Sequence, residues 1–295
     1  MQTFLRKILI SAILFSVSPF LCYTQTPSPD TPSYQFAMVR NISDSFENSL
    51  KLNPPLDPIN LDLAKQQHEM YIDLIQQMVS AVVRIDADRN HPDCNFIEDT
   101  AIIVDDIAVI SRMGAIERRG EEGAVAQILQ ELGKNIVHIH SPGTMDGGDI
   151  LHTGKHLFVG LSQRTNEYAL EQLKSIFQGK TEVVGIPVAN SLHLKSVLSF
   201  FDSETLIVAD TKEAKVIQSN IESLTNEYTF VSVPDVSASN VLRIGSNLIV
   251  QDGFSASEAT LQDLCNQKSV NLIKIDMSEL IKADGALTCG CLLFN

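Results

Sequence analysis

Short apolar runs typical of buried strands alternate with amphipathic segments typical of helices from about residue 34 to the end of the 295-residue chain. The order strand, strand, helix, strand recurs in units of roughly forty to sixty residues, without a repeat in the sequence itself. Because such units bury their apolar faces against one another, the pattern predicts an α/β fold arranged as a ring of similar modules. Helices are expected over 61–82, 120–132, 166–177, 214–224 and 255–267, and strands over 36–39, 101–110 (a pair), 136–139, 156–159, 183–188, 205–208, 230–233, 241–244, 248–250, 272–275 and 287–294.

Composition and motif content exclude several classes of function. A formal net charge of -14 disfavours binding to nucleic acid or to anionic membranes, and it suits a cationic small molecule, although solubility alone also explains it. The sequence contains neither a GxGxxG nor a GxxxxGK[ST] motif, so a nucleotide-binding fold is unsupported. None of the five cysteines forms a CxxC pair, which argues against a zinc ribbon or a thioredoxin motif.

The first 33 residues have the features of a targeting segment followed by a linker. Arg6 and Lys7 precede an apolar stretch over 8–21, which is too short and too interrupted for a membrane span. Ser16 and Ser18 have the small-x-small spacing that signal peptidase accepts. We predict a cleaved signal peptide or signal-like leader over 1–23, a disordered linker over 24–33 and a single domain over 34–295, with a secreted or extracytoplasmic location. An uncleaved anchor and an apolar extension without a targeting role are the alternatives.

Several polar segments beside predicted strands have the residue types that catalysis needs. Asp93, Glu98 and Asp99 fall within seven positions next to apolar strand residues, where unpaired carboxylates are costly. They match a planar guanidinium, with a hard-metal site or a solvated loop as competing interpretations. Asp146 and Asp149 flank two glycines, which permit close backbone approach or positive φ, so Asp146 could orient a histidine and Asp149 could hold the turn.

Histidine, arginine and cysteine candidates complete the set. His193 is the best general acid/base candidate, whereas the pair at positions 138 and 140 fits one face of a strand better than a metal site. Arg164, between a strand and a helix, suits carboxylate recognition, and Arg118 has a similar position. Cys289 and Cys291 follow a loop containing Asp284 and Gly285, and the chemistry of a nucleophile does not choose between these two cysteines.

Five of these segments together, in this order, resemble the dimethylarginine dimethylaminohydrolase family of guanidine-modifying enzymes. The resemblance extends from about residue 37 to 294, and its strongest matches are PDCNFIEDT, DGGD, GLSQRTN, LHLKS and DGALTCG. It implies a five-fold pseudo-symmetric α/β-propeller, the pentein fold, built from ββαβ-like modules. It also implies Cys289 as nucleophile, His193 as general acid/base and Asp146 as the residue that orients it. The implied substrate-binding residues are Leu50, Asp93, Glu98, Asp99, Arg118, Arg164, Ser196, Ala283 and Asp284.

The resemblance further implies the reaction, which is hydrolysis of Nω-methylated arginines to citrulline and an amine through a covalent intermediate on Cys289. No cofactor or structural metal is expected, although Zn²⁺ could inhibit by binding Cys289 and His193. The expected partner is a small-molecule substrate. An arginine deiminase or amidinotransferase, a secreted binding protein without turnover, and a metal enzyme using Asp93, Glu98 and Asp99 remain as alternatives. Typical members are cytoplasmic, in contrast to the leader predicted for this chain.

Overall fold

A computed structural model describes residues 32–52 and 54–295. The predicted leader over 1–23, and the predicted linker up to residue 31, lie outside the described residues. Pro32 and Ser33, the last two residues of that linker, accept hydrogen bonds from Gly245 N at 2.7 Å and Asn295 Nδ2 at 3.1 Å. No helix within the described ranges is long and apolar enough to cross a membrane.

Within residues 32–52 and 54–295, fifteen strands form five separate three-stranded sheets, as the predicted ring of α/β modules requires. In four sheets the middle strand pairs antiparallel with the strand before it and parallel with the strand after the helix, and in the fifth β15 takes the place of the preceding strand. The strands are β1 Phe36–Arg40, β2 Ala81–Ile85, β3 Ala101–Val104, β4 Ile107–Ile110, β5 Asn135–His138, β6 Ile150–His152, β7 His156–Leu161, β8 Glu182–Pro187, β9 Leu198–Asp202, β10 Thr205–Ala209, β11 Thr229–Val233, β12 Leu242–Ile244, β13 Asn247–Gln251, β14 Asn271–Ile275 and β15 Leu292–Phe294.

Burial is greatest in the middle strand of each sheet. The middle strands β1, β4, β7, β10 and β13 are almost wholly buried, whereas the third strand of each sheet keeps exposed positions. Amphipathic helices cover the outer faces: α4, for example, is capped by Thr211 and buries Ala214, Ile217 and Ile221. The helices are α1 Leu61–Gln76, α2 Glu122–Glu131, α3 Glu167–Ile176, α4 Lys212–Leu224, α5 Ser255–Lys268 and the short α6 Ser278–Ile281.

The two ends of the described chain share one module. C-terminal β15 pairs antiparallel with β1, and β1 pairs parallel with β2 across α1, so this sheet repeats the order of the other four. The ring therefore closes through hydrogen bonds between the first and the last strand. The five-fold pseudo-symmetric propeller that the resemblance implies is confirmed.

The helices and strands of the structure differ from those predicted from the sequence in three respects. The helix expected over 61–82 ends at Gln76, and the apolar run continues into β2, whose β-branched Val82 and Val83 favour a strand. Strands β6 and β9 were not predicted, since β6 has only three residues and offers too little periodicity. In the strand expected over 287–294, Thr288–Gly290 forms a 3-10 helix and only Leu292–Phe294 is extended.

The strand that pairs antiparallel with the middle strand is the inner strand of its sheet. A short 3-10 helix precedes the inner strand in each of the five sheets described. Because the inner strands surround the axis, these five turns bring residues far apart in sequence to one end of the ring. They are Ile97–Thr100 before β3, Gly147–Asp149 before β6, Leu194–Ser196 before β9, Ser237–Ser239 before β12 and Thr288–Gly290 before β15.

Candidate active site

A cavity of about 320 Å³ lies among these turns, and its lining contains every predicted site residue except Asp146. Asp146 is fully buried and contacts the cavity residue His193. The cavity contains both a thiol, from Cys289, and an imidazole, from His193. The fold therefore brings the predicted site residues together at one cavity, and their roles stay predictions.

His193 is held between two buried carboxylates. Its Nε2 lies 3.1 Å from Asp146 Oδ2, and its Nδ1 lies 3.9 Å from Asp99 Oδ1. Burial disfavours the charged imidazole, but Asp99 and Asp146 outweigh it and raise the pKa of His193 from 6.5 to about 9. The imidazole is therefore protonated at neutral pH and can act as a general acid.

Asp146 is itself fixed by neighbours on two further segments. Its Oδ1 accepts a hydrogen bond from Gly114 N at 2.8 Å, and its backbone N–H donates to Thr165 Oγ1 at 3.1 Å. Arg164 Nη1 lies 3.5 Å from its Oδ2. These contacts leave the Asp146 carboxylate in a single orientation, which fits its predicted role of orienting the histidine.

The paired glycines of the DGGD motif allow His193 and the Glu98 backbone to lie directly against this turn. A Cβ on Gly148 would lie 2.5 Å from His193 Nδ1, and one on Gly147 would lie 2.0 Å from the carbonyl oxygen of Glu98. Any side chain at either position would displace the histidine or the carboxylate segment. The motif thus makes room for the site without contributing a reacting group.

The loop that carries His193 is anchored by Asp149 and Ser196. Asp149 accepts hydrogen bonds from Leu194 N at 2.9 Å and Ser162 Oγ at 2.6 Å, and burial raises its pKa to about 6. Ser196 Oγ accepts a hydrogen bond from His193 N at 3.2 Å. Ser196 therefore holds the backbone of His193, the predicted acid/base residue, and it also lines the cavity.

Cys289 lies at the centre of the last 3-10 helix and is partly exposed to the cavity. Removal from bulk solvent raises the pKa of its thiol well above the ordinary value, and Glu98 and Asp99 raise it further. With its pKa raised in this way, the group is a thiol at neutral pH. A cation placed against these carboxylates would reverse their effect and favour the thiolate.

Arg118 is committed to neighbouring protein groups. Its guanidinium contacts Asp99 Oδ2 at 2.6 Å, Glu121 Oε2 at 2.9 Å and the carbonyl oxygen of Phe96 at 3.1 Å. Despite burial, His193 and Arg118 hold the pKa of Asp99 down to about 2. Arg118 lines the cavity, but Glu121, Phe96 and Asp99 occupy most of its donors, and its bond to Asp99 helps to keep that carboxylate charged and in place.

Glu98 closes the inner end of the cavity. Its Oε1 is paired with Lys195 Nζ, and its Oε2 accepts a hydrogen bond from Thr288 Oγ1 at 2.8 Å. Glu98 and Lys195 also line a second cavity, together with Tyr34 and Cys291. The ion pair thus lies between the two cavities, and burial raises the pKa of Glu98.

The outer side of the cavity is formed by the segment before α1. Leu50 N donates to both carboxylate oxygens of Asp93, at 3.1 and 3.2 Å, and Leu52 N donates to Asp284 Oδ2 at 2.6 Å. Ala283 is buried beside Asp284. Arg164 lines both this cavity and an adjoining recess that includes Leu50 and Asp284. Its partly exposed guanidinium is the cation best placed to bind an anionic group of a ligand.

Among the described residues, one group of ligand atoms is close enough for a metal ion. It consists of Asp99, Asp146 and His193, whose atoms lie within 4.8 Å of one another. Arg118 and Arg164 contact the two carboxylates, and both carboxylates raise the pKa of the imidazole. This environment favours an imidazolium over a divalent cation, because both would need the same carboxylates. It also differs from the alternative metal set of Asp93, Glu98 and Asp99.

Three residues of the site received no role from the sequence: Lys195, Thr288 and Asn240. Lys195 and Thr288 stood inside recognised motifs but had no visible partner. Asn240 lies in a serine-rich turn without any motif, yet it hydrogen-bonds to both of the others. Only the spatial convergence of the five turns identifies it.

Comparison with known proteins agrees with this architecture. A family model described as arginine deiminase matches residues 89–291. An N(G),N(G)-dimethylarginine dimethylaminohydrolase from Streptomyces coelicolor is 29% identical over 255 residues, which cover 86% of this chain and 94% of that protein. A protein from Aeropyrum pernix, described only as uncharacterized, is 31% identical over 233 residues and covers 77% of this chain and 82% of its own length.

A solved structure extends the similarity to three dimensions. A dimethylarginine dimethylaminohydrolase, crystallised as an adduct with S-methyl-L-thiocitrulline, superposes with a TM-score of 0.79 at 25% identity. The match covers 88% of this chain and all of that one, at 100%. The ring of five modules, the family match and the resemblance to dimethylarginine dimethylaminohydrolase agree, and the chain belongs to the arginine deiminase family of guanidine-modifying enzymes.

Proposed function

We propose that this protein hydrolyses Nω-methylated arginines, asymmetric dimethylarginine and monomethylarginine, to citrulline and dimethylamine or methylamine. The observation that carries the proposal is the placement of the Cys289 thiol and the Asp146-bound imidazole of His193 on one cavity rich in carboxylates. A thiol nucleophile, an acid and a cation-binding wall are the parts that hydrolysis of a guanidinium requires. The similarity to dimethylarginine dimethylaminohydrolases supports the choice of substrate.

The charges of the cavity fit a zwitterionic amino acid with a cationic side chain. Asp99 and Glu98 lie at the inner end, where they can face a guanidinium, and Asp93 and Asp284 lie near the outer segment. Arg164 can pair with the substrate carboxylate at the mouth. A cavity of about 320 Å³ is large enough for one such molecule.

The proposed reaction has two stages that share the same residues. A bound guanidinium lowers the pKa of Cys289, whose proton leaves to solvent, and the thiolate adds to the guanidinium carbon. The imidazolium of His193 donates its proton to the departing amine as the carbon–nitrogen bond breaks, which leaves an S-alkylthiouronium on Cys289.

In the second stage, neutral His193 takes a proton from water. The resulting hydroxide adds to the thiouronium carbon. The carbon–sulfur bond then breaks while the hydroxyl proton is lost to solvent, which gives citrulline and the Cys289 thiolate. The chain's own residues carry every step of this proposal, so no cofactor is invoked. Inhibition by Zn²⁺ at Cys289 and His193 remains a prediction, tested by titrating activity with zinc and reversing the effect with a chelator.

The amine product distinguishes this proposal from its nearest competitor. The family model that matches the chain is described as arginine deiminase, so release of ammonia from arginine is the second candidate. Purified protein should be given asymmetric dimethylarginine or arginine, and citrulline, dimethylamine and ammonia should be measured. Citrulline with equimolar dimethylamine from the methylated substrate supports the proposal. Turnover of arginine alone would assign a deiminase, and binding without turnover would favour a binding protein.

We also propose that the protein is exported, because residues 1–23 have the pattern of a signal peptide. Sequencing the N-terminus of the mature protein from culture medium or the cell envelope tests this. A mature N-terminus close to residue 24 in those fractions supports export. Protein found only in the cytoplasm with its first residues intact would contradict it.

A further inference from the structure

The module of strands β12, β13 and β14 contributes no acid, base or nucleophile to the proposed reaction, yet the turn before β12 lines the site. Asn240 follows the 3-10 helix Ser237–Ser239 and lines the cavity with only 2% of its surface exposed. We propose that Asn240 is a positioning residue that fixes the nucleophile loop against the acid/base loop. This inference rests on the proposed function and assigns a residue beyond those that react.

Three hydrogen bonds connect the Asn240 side chain to both loops. Its Oδ1 accepts from Thr288 N at 3.0 Å, and its Nδ2 donates to Thr288 Oγ1 at 3.0 Å. The same Nδ2 donates to the carbonyl oxygen of Lys195 at 2.9 Å. Thr288 directly precedes Cys289, and Lys195 follows His193 by two residues. One amide group therefore sets the distance between the two reacting residues.

The hydrogen bonds among Asn240, Thr288, Glu98 and Lys195 form a closed ring in which each donor and acceptor is fixed. Thr288 Oγ1 accepts from Asn240 and donates to Glu98 Oε2, and Glu98 Oε1 is paired with Lys195 Nζ. Because the amide supplies both an acceptor and a donor, aspartate at position 240 would lose two donations and add a charge beside Glu98. The ring thus requires asparagine chemistry and not only its shape.

The backbone around Asn240 is held independently of its side chain. Ser199 Oγ donates to the carbonyl oxygen of Ser239 at 2.5 Å and accepts from Val241 N at 3.1 Å. Ser239 Oγ bonds to the carbonyl oxygen of Val236 at 2.7 Å, within its own turn. Removing the Asn240 amide should therefore release the two loops while the turn stays in place.

Loss of the link should act on the chemical step more than on substrate binding. The groups proposed to bind the amino-acid end, Arg164 and Asp93, have other supports. A shift of about 1 Å between reacting groups costs roughly 100-fold in rate. We therefore expect Asn240→Ala to lower kcat by about 10- to 100-fold and to change KM by less than about threefold.

The experiment compares Asn240→Ala, Thr288→Val and the double variant in the full-length protein. The control is Ser239→Ala, which removes a hydrogen bond one residue away without touching Thr288 or Lys195. Melting temperature, kcat and KM for asymmetric dimethylarginine are measured for each. Thr288→Val removes one of the three hydrogen bonds of the Asn240 amide, so the two substitutions overlap and the loss in the double variant should be smaller than the product of the single losses. Ser239→Ala should keep the parent kcat.

Two results would overturn the inference. One is a folded Asn240→Ala protein with kcat within about twofold of the parent. The other is independent, multiplicative losses from the two substitutions. Iodoacetamide alkylation of Cys289, followed by mass spectrometry of its peptide, tests the link without turnover. The rate at Cys289 should change in Asn240→Ala and not in Ser239→Ala. If the parent made no citrulline, the proposed function would fail, and unchanged alkylation would refute the positioning role separately.

Discussion

Replacing His193 by glutamine should remove a pH-dependent part of the protein's stability. The folded site raises the pKa of His193 from 6.5 to about 9, so the folded state binds a proton more tightly than the unfolded state. The stabilisation is complete below the unfolded pKa and is lost as pH rises through the folded pKa. The relevant window therefore runs from about pH 6.5 to about pH 9.

The size of the effect follows from the two pKa values. At about 1.4 kcal/mol per pKa unit, the difference between 6.5 and about 9 corresponds to about 3 kcal/mol. Typical domains have a total stability of roughly 5–15 kcal/mol, so the contribution is measurable. Asp99 shares this interaction, since His193 helps to keep its pKa low. The raised pKa of His193 and the lowered pKa of Asp99 reflect the same favourable contact, so their free energies are not added.

Urea unfolding of the parent and of His193→Gln at several pH values is the assay. The difference in unfolding free energy between the two proteins cancels the other titrating groups, including the buried thiols. This difference should shrink by about 3 kcal/mol between about pH 6 and about pH 9. Parallel curves for the two proteins would refute a charged His193 held by Asp99 and Asp146.

Three further predictions concern other parts of the site. Because the pKa of the Cys289 thiol is raised, iodoacetamide should alkylate it more slowly at neutral pH than it alkylates free cysteine. The alkylation rate should still increase with pH above about pH 9, and a rate that stops increasing below about pH 9 would contradict this. Lys195→Met should lower the free energy of unfolding by about 3 kcal/mol in urea titrations, because buried Glu98 loses its partner, and an unchanged midpoint would exclude a structural ion pair. Arg164→Gln should raise KM by about 10- to 100-fold with a smaller effect on kcat in citrulline assays, since a charged hydrogen bond to substrate is lost; an unchanged KM would remove Arg164 from the binding site.

The order of modules was predictable because its physical causes are local. Middle strands such as β10 are short, fully buried apolar runs, and helices such as α4 begin at a capping residue and carry one apolar face. Prediction failed where the hydrophobic pattern was too short to show a period, or where one apolar run continued from a helix into a strand. Three-residue β6 has too little pattern, and the apolar run after Gln76 hides the change from helix to strand at Ala81.

The residues proposed to react were recognised from their motifs, whereas the residues that hold them in place were not. Lys195 meets a carboxylate 97 positions earlier in the chain, and Asn240 meets a threonine 48 positions later. Such pairings are created by the ring and leave no trace in local spacing. Arg118 illustrates the same limit, since its position suggested substrate binding but its neighbours Asp99 and Glu121 occupy most of its donors.

Covalent capture on Cys289 tests the central claim most directly. Asymmetric dimethylarginine labelled with carbon-13 at the guanidino carbon is mixed with the enzyme, the reaction is stopped with acid during turnover, and the peptide containing Cys289 is analysed by mass spectrometry. The labelled carbon should be attached to Cys289 in the parent, and both label and citrulline should be absent from Cys289→Ser. Citrulline formation by Cys289→Ser, or turnover by the parent with no label on that cysteine, would contradict the mechanism.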